Sequence, residues 1–135
     1  MNTREEINNG LLTDSVLVTQ SLLKDILSDM SKMEDFSPER EFHLNQQIMK
    51  LTLGISSFVE VTTLLSKFVT KMKLQPITEI KDSHVHLLSI MKGIQHAQSK
   101  LDHVALEDLI KYELKDNLTQ WNIDLLPQIK RLLSA

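Results

Sequence analysis

Leu44, Ile48, Leu51, Ile55, Phe58, Thr62, Leu65, Val69 and Met72 follow one another at steps of 4, 3, 4, 3, 4, 3, 4 and 3. A strand would repeat every two residues, so this spacing admits a helix and nothing else. Sustained over four heptads, it marks a seam that must lie against other helices. The segment opens at SPERE, where Ser37 is placed to cap and Pro38 fits the first helical position. There the missing proline N–H costs nothing, and Glu39 and Glu41 complement the positive end of the dipole. It closes near Lys73, before LQPIT, because the residue preceding Pro76 avoids the helical region. A helix over 38–73 would be roughly 50 Å long. Gly54, near its middle, can bend it or admit a close neighbour.

Three more helices follow from the same signals. The first spans about 3–33, with Ile7, Leu11, Leu22, Ile26, Met30 and Met33 at helical steps. A third covers 78–99, its stripe being Ile80, His84, Leu87, Met91, Ile94 and Gln98. A fourth covers 103–133, capped by Asp102, with Leu106, Ile110, Leu114, Leu118, Trp121, Leu125, Ile129 and Leu132 on one face. Pro127 lies inside it and predicts a kink or break near 123–126. Helices joined by short links pack as antiparallel neighbours. The expected fold is therefore all-α: one domain, residues 1–135, an antiparallel four-helix bundle running up-down-up-down. Three Gly and three Pro leave little material for tight-turned sheets.

Residues 51–70 hold only two charges, Glu60 and Lys67. A spanning helix needs about 20 mostly apolar residues. Here seven Ser and Thr interrupt the run, and the two charges would be costly in lipid, so no membrane span is expected. Beside the seam runs a second apolar line, Val61, Leu64 and Phe68. Two readings stand. It widens the core face, or it forms a second contact surface for another copy of the chain or a partner's amphipathic helix. The other helices carry more charge, so this one is where a partner surface is expected.

Catalytic and metal chemistry finds little support. Cysteine is absent, which excludes disulfides and thiolate metal sites. None of the five histidines stands three residues after a Glu, the spacing of carboxylate-bridged di-metal bundles. His84 and His86 point about 200° apart on a helix and cannot share an ion. SIMKGIQHA carries the Lys-Gly of a histidine phosphotransfer helix, but Ser89 stands where the phosphorylated His belongs. No glycine-rich phosphate loop or nucleophile elbow occurs. The formal charge of −3 is spread along the chain. Lys67, Lys71, Lys73 and Lys81 make a small basic end without aromatics for stacking, so no nucleic-acid partner is expected. The polar start MNTREEINNGLLTDSV has neither the basic beginning nor the apolar run of a secretion signal, which points to the cytoplasm.

LDHVALEDLIKYELKDNLTQW, residues 101–121, resembles the C-terminal part of small all-helical bacterial proteins. The likeness is carried by Asp102, Leu106, Asp108, Leu109, Tyr112, Glu113, Leu114, Leu118 and Trp121, with Lys111 and Lys115 making this copy more basic. It implies a bacterial source. The general shape is similar to flagellar and secretion export chaperones. Tyr112 and Trp121 join the candidate interface, because both bring apolar area with a polar tip; Trp121 also suits a core anchor beside Pro127. The function expected is a non-enzymatic protein–protein interaction module, an adaptor or chaperone-like bundle without cofactor, binding a protein partner or itself. The alternatives are a metal-binding or enzymatic bundle using His84 and carboxylates, and an antitoxin or regulator that blocks a partner protein.

Overall fold

The computed structural model describes residues 3–71 and 78–134, with side chains from Leu12 to Lys71 and from Thr78 to Leu133. Among these residues every regular element is helical. There are four helices: α1 (Thr3–Ser31), α2 (Glu41–Lys71), α3 (Thr78–Ser99) and a fourth over residues 103–134. The expected contributions of Ile7, Leu11, Met72 and the connection around Pro76 lie outside the described side chains.

α1 buries Leu12, Val16, Thr19, Leu23, Ile26 and Met30, again at alternating steps of four and three. Leu22, placed on the seam from sequence, is only half-buried; its neighbour Leu23 occupies the core. Two adjacent leucines cannot be phased by hydropathy alone. The helix closes at Ser31, two residues earlier than expected, and Met33 N–H bonds back to the Met30 carbonyl at 3.0 Å. Met33 and Phe36 then tuck into the core beneath the connection.

That connection is organised by Asp35 rather than by Ser37. Asp35 Oδ1 accepts the Ser37 amide at 3.0 Å, and Arg40 Nε lies 3.8 Å from its other oxygen. Ser37 stands at the cap position with extended backbone, but its side chain makes no cap bond to the helix. The hydroxyl and amide of Ser37, with Arg40 beside them, hold the Asp35 carboxyl below the ordinary carboxylate range. Pro38–Arg40 form a 3-10 turn that runs straight into α2.

α2 buries Leu44, Ile48, Leu51, Ile55, Phe58, Thr62, Leu65 and Val69, the seam read from sequence. Gly54 serves close approach: a Cβ there would meet Ile26 Cγ1 of α1 at 3.2 Å. α3 turns its Ile80, Ser83, Leu87, Ile90, Ile94 and Ala97 inward. The stripe is thus rotated from the expected one, leaving His84, Met91 and Gln98 at the margin.

Leu101 ends α3 in the left-handed region, φ 54°. Asp102 N–H reaches the Ala97 carbonyl at 2.9 Å, and Leu101 N–H reaches that of Gln98 at 3.1 Å. This paired pattern is the Schellman stop, which ordinarily employs Gly. Asp102 then starts the fourth helix, its Oδ1 accepting Ala105 N–H at 3.1 Å as expected of the cap.

Residues 103–134 form one continuous helix with two wide turns. α-Helical His103–Asp108, Lys115–Gln120 and Leu126–Ser134 alternate with π-helical Leu109–Leu114 and Trp121–Leu125. The buried residues explain both. Leu106, Ile110, Leu114, Leu118, Trp121, Leu125, Ile129 and Leu133 follow at steps of four with a single three. An α-helix turns every 3.6 residues, so each step of four overshoots by about 40°. Wide turns absorb the excess and keep the seam inward. The second also disposes of Pro127: Leu126 N–H bonds to the Trp121 carbonyl, five residues back, where an α-helix would reach four. Of the kink or break expected near 123–126, the break does not occur; the helical ladder is instead rewritten as a wide turn over Trp121–Leu125, just ahead of the proline. α1 packs on α2 and on the second half of the fourth helix, while α3 packs on the first half.

Candidate functional site

Two regions of the described residues carry more than packing. The first is the outer side of α2. Phe42, Met49, Leu53, Leu64 and Phe68 are exposed, at 77, 65, 65, 53 and 46% of their surface. Counted along the helix, Phe42, Met49, Leu53 and Leu64 lie on the side away from the buried seam, while Phe68 stands at the flank of the seam that faces α1. Val85 and Leu88 extend the apolar surface onto α3. Between α2 and α3 runs a shallow groove of about 340 Å³, lined by Thr52, Ile55, Ser56, Val59, Glu60, Leu88 and Met91. Ile55 lies buried beneath it, and the exposed Thr52 and Ser56 leave its α2 edge low enough for another backbone to come close.

The expected interface residues divide accordingly. Leu64 and Phe68 face outward on α2, and Tyr112 is exposed on the fourth helix, 64% of its surface free. Val61 is half-buried and packs against the core. Trp121 is fully buried and offers no surface; it is the anchor beside Pro127. Phe42, Met49 and Leu53 are not among the residues that the sequence marked for an interface. Their spacing of seven and four was legible, but a seam search looks for the side a helix hides. By length and composition alone Pro38–Lys71 would also serve as a spanning segment, and 33% of its most apolar stretch is buried in the bundle.

The second region is a polar cluster around Trp121. Phe58 meets the indole edge-on, ring centres 5.2 Å apart and planes at 87°. His84 lies over it at 5.0 Å with a 31° tilt. Thr62 donates its hydroxyl to the Phe58 carbonyl at 2.8 Å, so its oxygen accepts the Nε2–H of His84 at 2.7 Å. That bond fixes the imidazole as the Nε2–H tautomer. Burial pushes the His84 pKa below its ordinary value, because the charged ring would lose solvent. Asn117 donates to the Ser83 carbonyl at 3.2 Å and lies 3.4 Å from His86 Nδ1. Ser83 Oγ, Asn117 Oδ1 and Trp121 Nε1 are buried without a protein partner.

His84 is thus committed, one nitrogen to a threonine and one face to an indole. Among the described residues no three His, Asp or Glu side chains converge as a metal site would require. No family model, curated protein or solved structure matches this chain.

Proposed function

We propose that the chain is a non-enzymatic interaction module whose four helices run up-down-up-down and whose α2 meets a protein partner. The observation that carries this is the outward line Phe42, Met49, Leu53 and Leu64, with Leu88 exposed across the groove on α3. Single exposed apolar residues are ordinary; four large ones on one side of a single helix suit a contact surface. Glu60 and Lys67, both exposed on α2, favour a protein or a second copy over lipid. An amphipathic helix laid along α2 and the α2/α3 groove would cover this face. The half-buried Val61 belongs to the core, and Trp121 acts only by fixing the bundle. Residence in the cytoplasm of a bacterial cell belongs to the same proposal.

The test is affinity capture from the native cell together with light scattering, on the wild type and on Leu53→Glu and Leu64→Glu. Both positions are exposed, so folding should change by no more than about 0.5 kcal/mol. The proposal expects a stoichiometric partner or a self-associated species that both variants lose. A monomer that captures nothing, with or without the substitutions, would end it.

A further inference from the structure

A second cleft lies away from the α2 face, where the end of α1 parts from the fourth helix. It encloses about 520 Å³ and is lined by Leu27, Met30, Ser31, Met33, Glu34, Ile110, Lys111, Tyr112, Lys115 and Thr119. That volume falls in the range of small-molecule sites. Its lining is sorted by chemistry: Leu27, Met30, Met33 and Ile110 supply hydrocarbon, while Ser31, Tyr112 and Thr119 supply hydroxyls. The wide turn Leu109–Leu114 forms part of one wall.

Charge decides what would fit. Lys111 is already engaged: its Nζ bonds Glu107 at 2.9 Å and sits 5.4 Å from the centre of the Phe36 ring. Glu34 acts on that same ammonium. Lys115, one turn farther along, has no carboxylate partner among the described residues. The cleft therefore offers one cation without a direct carboxylate partner, beside the hydroxyls of Tyr112 and Thr119 and above an apolar floor; the Ser31 hydroxyl already donates to the Ser28 carbonyl at 2.7 Å. A second negative charge would have to share the site with Glu34.

We infer that this cleft binds a small amphipathic monoanion, a hydrocarbon carboxylate whose head meets Lys115 and whose tail lies on Leu27, Met30, Met33 and Ile110. The site is separate from the α2 face and stands or falls without it. The experiment is a titration of the isotope-labelled full chain, followed by amide NMR shifts, with octanoate and with octyltrimethylammonium as its cationic counterpart. Octanoate should saturate with a Kd below about 1 mM, with shifts centred on residues 27–34 and 110–119. Lys115→Met should weaken it about tenfold and Lys115→Arg should restore it, while octyltrimethylammonium binds at least about tenfold more weakly. Lys115 is exposed, so both variants should fold as the wild type does. Unsaturable shifts, shifts centred instead on Met49 and Leu53, equal binding of the cation, or an unchanged affinity in Lys115→Met would each overturn the inference.

Discussion

Asn117→Leu should stabilise this protein. Asn117 is 3% exposed, and its carboxamide oxygen has no hydrogen-bond partner. A buried acceptor left unpaired costs about 1–3 kcal/mol, which Leu removes. The loss is the Nδ2–H bond to the Ser83 carbonyl, 3.2 Å long, with the longer 3.4 Å contact to His86 Nδ1, together worth about 1 kcal/mol net. Leu has the same number of side-chain heavy atoms, and the apolar burial it gains offsets the strain of its bulkier methyls to within about 1 kcal/mol. The balance favours the variant by about 1 kcal/mol, or about 4 °C in Tm for a chain of this size. Asn117→Asp makes the opposite control. It puts a carboxylate in the same place with no cation beside it, at a cost of about 3 kcal/mol or more. Urea unfolding followed by far-UV circular dichroism gives both values. The fluorescence of Trp121, the sole tryptophan and one turn from the mutated site, reports whether the local packing survives. If Asn117→Leu is destabilised by more than about 1 kcal/mol, the carboxamide is satisfied in solution and the reasoning fails.

Three other outcomes are expected. Leu101→Gly should add about 0.5–1 kcal/mol, because φ 54° strains a side chain and suits glycine; equilibrium unfolding measures it, and a loss would show that the Leu101 side chain contributes more than its backbone costs. Lowering the pH should weaken the fold through His84: above about pH 6.5 the ring is neutral in both states, and below that value the unfolded chain takes up the proton first. Stability should therefore fall from about pH 6.5 down to the depressed folded pKa and then level off, and His84→Gln should remove this part of the slope in urea titrations run across the range. Phe58→Ala, which removes a fully buried ring from the edge of Trp121, should cost about 3–5 kcal/mol by the same unfolding assay.

Much of the fold was legible because α2 keeps a true helical period. Its seam advances about 3.6 residues per turn, so all eight described members, Leu44 to Val69, fall inside the bundle. The fourth helix was legible only in part. Its steps of four were visible in Leu106, Ile110, Leu114 and Leu118, yet they were read as an ordinary stripe. Averaging about 3.9 residues per step, they carried the signature of wide turns, and those turns are why Pro127 breaks nothing. On α1 only Leu22 gave way to its neighbour Leu23, while Ile26, Met30 and Met33 are buried as expected; on α3 Ile80, Leu87 and Ile94 hold, but Ser83, Ile90 and Ala97 take the inward places expected of His84, Met91 and Gln98, since the choice between neighbours is left to tertiary contacts. The candidate face was half legible: Leu64 and Phe68 could be placed outside the seam, while Phe42, Met49 and Leu53, at an equally regular spacing, stand on the side that a search for buried residues passes over. The buried pairing of Thr62 with His84 joins residues on different helices, and no local pattern announces it.

Most directly, the central claim is tested by placing a photo-crosslinking amino acid at position 53, in the middle of the outward line of α2, and at position 116, exposed on the fourth helix, then irradiating intact cells. The account predicts a discrete crosslinked product from position 53, lost when Leu64→Glu is added, and none from position 116. Equal products from both positions, or none from position 53, would contradict it.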